Sequence, residues 1–226
     1  HAHFLTADIP VLFWMLAAFI CCQRIVERGR WQDYLLAGLF TGVAAATKYN
    51  GLGVGIAIPA AHFARLVLRR DAGCFLVHAF APKLVASVSC VGVGFVLANP
   101  FSVFDFRTFY GDFKYNSMVA PVYEGQTGHS FLQFFVGLAE SFGWPVLLLA
   151  LAGATVTLWN SLRRPNDTAM IATAWMAAAV LLLYYAKFAP FPRLETRFVL
   201  PIAPYLLILA AAALDSALAR FWPVAV

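Results

Sequence analysis

Charge is scarce in this chain. Asp, Glu, Lys and Arg make up 12% of its 226 residues, about half the share of an ordinary soluble domain. That shortage excludes a water-soluble globular fold, because 62% of the residues are hydrophobic and the mean hydropathy is +0.77. The four cysteines (Cys21, Cys22, Cys74, Cys90) show no C-x-x-C spacing. Three of them sit in apolar runs, where cysteine behaves as a small hydrophobe, so neither a metal knuckle nor a disulfide framework follows. No internal repeat and no low-complexity linker is visible. An initiator Met, a charged leader and a cleavage site are also absent ahead of the first apolar run. The chain is therefore expected to be a piece of a longer protein, and residues 221–226 read as a cut or a short tail.

What the chain does have is apolar runs long enough to cross a bilayer, separated by short basic stretches. About 20 residues at 1.5 Å each span the hydrocarbon core. The first run covers residues 9–25 and ends in Gln23-Arg24-Ile25-Val26-Glu27-Arg28-Gly29-Arg30. The next covers 34–68 and has basic flanks on both sides, Arg28 and Arg30 before it and Arg65, Arg69 and Arg70 after it. Basic flanks stay in the cytoplasm, so this run must cross twice, turning at Lys48-Tyr49-Asn50-Gly51. A fourth span over 75–98 returns outward and stops at Asn99-Pro100, a turn signal. Residues 99–130 are too polar to span and read as an external loop with short helices. Residues 131–143 are amphipathic enough to lie along the interface. Spans over 144–158, 169–186 and 198–218 complete the set. The expected fold is all-α, a polytopic transmembrane helical bundle of about seven spans occupying residues 1–226. The net charge of +5 then reflects retention of inner loops by Lys and Arg, and nucleic acid is not an expected partner.

This sidedness gathers polar groups on the outer face: Asp8, Lys48, Tyr49, Asn50, Lys187, Arg193, Glu195 and Arg197, with the acidic and basic residues of the external loop. Ionisable groups at span ends are costly unless they face water or one another, and they often mark substrate paths. The cations of 187–197 could clamp a phosphate, with Arg offering a planar fork and Lys a point charge. A neighbouring carboxylate could orient a hydroxyl or hold a divalent cation. For any single residue the competing explanation is plain helix capping or interfacial anchoring: Thr6 or Asp8 can cap the first helix, and Pro10 suits its first turn. His1, His3 and His129 could join a metal site, while His62 and His78 read as structural. Gly38-x-x-x-Gly42 reads as close helix packing within the chain rather than dimerisation. Glu140 and Asp215, in apolar runs, read as paired or interface-facing.

Three stretches in order, Thr6-Ala7-Asp8-Ile9-Pro10, then Ala46-Thr47-Lys48-Tyr49-Asn50-Gly51, then Glu195-Thr196-Arg197-Phe198-Val199-Leu200-Pro201 with Pro204, resemble the GT-C type membrane glycosyltransferases. Among these, the protein O-mannosyltransferases and the bacterial aminoarabinose transferases are similar. The resemblance implies an enzyme that moves a hexosyl or pentosyl group from a polyprenyl-phosphate donor to a glycan, lipid or protein acceptor. It implies an active site on the outer face of a membrane, here a bacterial inner membrane. It also implies a first span and a first external loop, bearing an acidic residue, that would precede His1. Asp8 matches the family's second acidic position and would orient the acceptor. Arg197 matches the arginine of an Arg-aromatic-x-Leu-Pro pattern, with Phe198 where Tyr is common. Lys187, Arg193, Arg197 and, more weakly, Lys48 would bind the donor phosphate, with Tyr49 and Glu195 lining the substrate site. Some relatives bind a divalent metal and others none, so the resemblance leaves the cofactor open. A secondary transporter is the main alternative and a non-catalytic membrane subunit a further one. Transporters tend to carry paired repeats and midplane sites, which this pattern lacks.

Overall fold

The computed structural model describes residues 7–69, 78, 80–115, 131–163, 168–188 and 200–221, and these are all or nearly all helical, with no strand among them. The chain opens with α1 (Asp8–Glu27) and α2 (Trp31–Thr47). A 3-10 segment, Tyr49–Ile56, runs directly into α3 (Ala57–Leu68). Next come α4 (Pro82–Ala98) and two short helices, α5 (Phe101–Phe104) and α6 (Phe106–Lys114). α7 (Phe131–Phe142), α8 (Trp144–Arg163) and α9 (Thr168–Phe188) follow, and a 3-10 turn (Leu200–Ile202) leads into α10 (Ala203–Phe221).

Among the described residues, five segments are long and apolar enough to cross a membrane: Asp8–Glu27, Tyr49–Leu68, Trp144–Ser161, Met170–Phe188 and Leu200–Leu218. Two of the seven expected spans fall short of that mark. α4 is apolar but has 17 residues, and α2, also 17 residues, carries Trp31, Gln32 and Asp33 in its first turn. At 1.5 Å per residue each is about 25 Å long, under the usual hydrocarbon thickness. The all-α bundle stands, and the count of seven is not confirmed. The fourth span was expected from residue 75; α4 starts at Pro82, and residues 70–77 lie outside the described residues.

The turns sit where the sequence places them. α2 stops at Thr47 because Lys48 is extended (φ −157°, ψ 128°), and the Gly51 N–H donates to the Lys48 carbonyl at 2.7 Å. Gly143, at φ +86°, separates α7 from α8, a backbone angle that only glycine adopts without strain. α1 is the central helix: Val11, Met15, Ala18, Cys22 and Ile25 are fully buried at helical spacing. It packs on α2, α3, α9 and both 3-10 segments. The α2–α4 contact is the most extensive, and small residues make it. A Cβ on Gly38 would overlap the Ser87 carbonyl oxygen, one on Gly42 that of Val91, and one on Gly94 that of Leu39. Backbones this close gain dispersion contacts that lipid tails would otherwise supply, which is how helices associate in a bilayer. Gly38-x-x-x-Gly42 is thus an intramolecular packing seam, as expected. Gly153 has the same role between α8 and α10, against the Leu209 carbonyl.

The two ends of the bundle differ chemically. At the α1 C-terminus, the Arg65 guanidinium donates to the carbonyls of Ile25 (3.2 Å) and Val26 (2.8 Å), and the Lys83 ammonium to that of Gly29 (2.7 Å). Those cations neutralise the negative end of the helix dipole. His62, buried nearby, shares a 2.7 Å hydrogen bond with the Tyr34 hydroxyl, in keeping with a structural role. Glu140 and Asp215 are both exposed on the helix surface rather than buried.

Candidate active site at one end of the bundle

The opposite end gathers the candidate residues. Asp8 is the first residue of α1, but among the described residues no side chain caps that terminus. The capping expectation for Asp8 is therefore corrected: its carboxylate forms an ion pair with the Lys48 ammonium. The physical reason is burial. The Asp8 side chain is 4% exposed and that of Lys48 23%, and a carboxylate out of water requires a cation more than it requires a weak cap. Chain geometry delivers that cation: α1 and α2 are antiparallel neighbours, so the residue after α2 ends beside the start of α1.

Lys187, at the end of α9, is exposed and donates to Asn50 Oδ1 at 2.9 Å. Its ammonium also lies 5.5 Å from the Phe188 ring centre. Three residues earlier on α9, the buried Tyr184 donates its hydroxyl to the Asn50 carbonyl at 2.7 Å. Asn50 is thus held by two α9 side chains on one helical face. The turn that carries Lys48 and Asn50 has no slack. A Cβ on Gly51 would come within 2.5 Å of the Ala44 carbonyl oxygen, and one on Gly53 within 2.7 Å of the Tyr184 ring. Tyr49 points the other way, exposed, with its ring 5.3 Å from Phe113 of α6 in a T-shaped contact.

Of the site residues expected from sequence, Asp8, Lys48, Tyr49 and Lys187 occupy this end together. Arg193, Glu195 and Arg197 lie outside the described residues, as do His1, His3 and His129. Tyr184 was not foreseen as a site residue. The signal for it was the i, i+3 spacing of Tyr184 and Lys187, which puts the buried ring and the exposed cation on one face. As for metals, no group of three or more His, Cys, Asp or Glu among the described residues could hold an ion. The three histidines expected as possible metal ligands, His1, His3 and His129, lie outside those residues.

Between α7, α8, α9 and α10 lies a cavity of about 460 Å³. Its walls are almost wholly apolar, among them Phe134, Leu138, Leu151, Trp175 and Leu209. Tyr185, two residues before Lys187, is also in the lining, packed against Phe134 and Phe135 with ring centres 5.3 and 5.4 Å away. The cavity wall therefore reaches to within one helical turn of the polar end.

Comparison with known proteins adds one match. Residues 2–95 match the family described as dolichyl-phosphate-mannose-protein mannosyltransferase. No curated protein and no solved structure matches the chain. The matched residues take in α1, α2, α3 and most of α4, and so contain Asp8, Lys48, Tyr49 and Asn50. The resemblance to membrane glycosyltransferases of mannosyltransferase type holds over that region, and the five apolar helices are those of an integral membrane protein. The motif around Arg197 lies beyond the matched residues.

Proposed function

We propose that this chain is the membrane-embedded part of a glycosyltransferase that transfers a sugar from a polyprenyl-phosphate donor to a glycan, lipid or protein acceptor at the outer face of the membrane. The observation that carries the reading is the ion pair of buried Asp8 with partly exposed Lys48, inside the stretch that matches the mannosyltransferase family, beside the Asn50–Lys187 contact. In such a transfer the bond between the anomeric carbon and the donor's phosphate oxygen breaks. A bond to the acceptor oxygen forms, and the acceptor proton leaves. The chain must therefore stabilise charge on the departing phosphate and orient the acceptor hydroxyl.

Lys187 is the described cation best placed for the phosphate, being exposed and held by Asn50. Arg193 and Arg197 are assigned the same task, with Glu195 and Tyr49 lining the sugar site. Asp8 orients the acceptor, while Lys48 pairs with its carboxylate and is the weaker phosphate ligand. The apolar cavity supplies a bed for the isoprenoid tail, with the phosphate toward Lys187.

The test is transfer from a polyprenyl-phosphate-linked sugar in proteoliposomes of the full-length protein. Asp8→Asn and Arg197→Ala are expected to abolish transfer while membrane insertion persists. Lys187→Gln is expected to raise KM for the donor more than it lowers kcat. Wild-type turnover in Asp8→Asn would refute the assignment.

A further inference from the structure

Directly after α4 ends at Ala98, the chain turns into α5 and α6 at the same end of the bundle as Asp8. No residue of α6 is buried. Its sequence places Phe106, Phe109, Tyr110 and Phe113 at i, i+3, i+4 and i+7, a single aromatic face roughly 100° wide. Phe106 stacks on Tyr110 (ring centres 5.9 Å apart, planes at 22°) and Phe109 on Phe113 (6.3 Å, 25°). Two ring contacts tether this face to the bundle, Phe109 to Phe95 and Phe113 to Tyr49. The remainder is open: Phe106 is 60% exposed, Tyr110 54%, and Phe101 and Phe104 of α5 70% and 84%. Arg107 and Lys114 fall next to each other on one flank of the aromatic face, and Asp112 falls on the other.

Water is a poor solvent for such a surface, which is larger and more aromatic than scattered exposed side chains. Two observations say what covers it. The aromatic face follows directly on α4, whose side chains Val88, Val93, Val96 and Leu97 are exposed, and packs on it through Phe109 and Phe95, so the two form one continuous exposed apolar surface. The cationic flank matches the phosphates that lie just above the acyl boundary.

We propose that α5 and α6 form an in-plane membrane-surface element. Its aromatic face lies at the acyl boundary of the leaflet on the Asp8 side, and Arg107 and Lys114 sit against phospholipid headgroups. The Phe113–Tyr49 contact then ties that lipid surface to the turn holding Lys48. The proposal goes beyond sugar transfer and does not depend on it, because its test reads immersion rather than turnover. Single cysteines replacing Phe106, Thr108, Tyr110 and Gly111 in the full-length protein would be spin-labelled in phosphatidylcholine–phosphatidylglycerol nanodiscs, with the unsubstituted protein as background. Access to oxygen, which concentrates in lipid, is compared with access to a water-soluble nickel chelate. Labels at 106 and 110 are expected about 5–10 Å inside the headgroup boundary, with 108 and 111 in water. High nickel access at all four positions would overturn the proposal. So would shielding of 106 and 110 from both reagents, which would mean that protein covers the face.

Discussion

Lys48→Met is the most informative perturbation of this chain, because it removes a charge while leaving the buried partner behind. Asp8 would keep a carboxylate with a side chain 4% exposed and lose the ammonium that compensates it. Stranding one member of a buried ion pair costs about 3–5 kcal/mol. Because Lys48 is 23% exposed, part of its attraction is already screened and the low end of that range applies. A loss of about 3 kcal/mol is roughly a hundredfold in the folding equilibrium. Asp8→Asn should behave differently. The amide oxygen still accepts from Lys48, and a partly exposed lysine can extend toward water. That variant is expected to lose only about 1 kcal/mol, the scale of one ordinary hydrogen bond. The double variant Asp8→Asn/Lys48→Met should recover most of what Lys48→Met loses. Reversible unfolding in mixed micelles, followed by helical circular dichroism, gives all three values. Equal and small losses, under about 1 kcal/mol for each single variant, would show the pair to be solvated and would refute the argument from burial.

Other expectations concern packing. Gly42→Ala should cost about 1–3 kcal/mol, since the added Cβ collides with the Val91 carbonyl and α2 must move off α4. Gly92→Ala, where nothing lies within 4 Å, should instead stabilise the same helix pair by about 0.5–1 kcal/mol; the two variants measured side by side separate packing from helix propensity. Tyr184→Phe removes the donor to the Asn50 carbonyl, and about 1 kcal/mol of stability should go with it. Its donor KM should rise in the same direction as that of Lys187→Gln, because Asn50, which Tyr184 holds, in turn holds the Lys187 ammonium. An unchanged KM in Tyr184→Phe would mean that Asn50 needs no such support.

Much of the architecture was written in local pattern. Apolar run length specified the helices, Lys48–Gly51 and Gly143 specified the breaks, and the arginines at run ends specified which loops share a side. Those features depend on neighbours in sequence, so no tertiary information was needed to read them. The count of seven spans is not confirmed because α2 and α4 fold as 17-residue helices, short for a bilayer.

Partnership was the part that only the folded chain decided. Nothing in the local sequence says that Asp8 turns from its own helix terminus to Lys48, 40 residues away. Nor does it say that Tyr184 reaches 134 positions back to hold Asn50. An amphipathic period reports which face of a helix is buried, but the identity of the group across the gap depends on how antiparallel helices register. That register is set here by glycines whose missing side chains let one backbone rest on another.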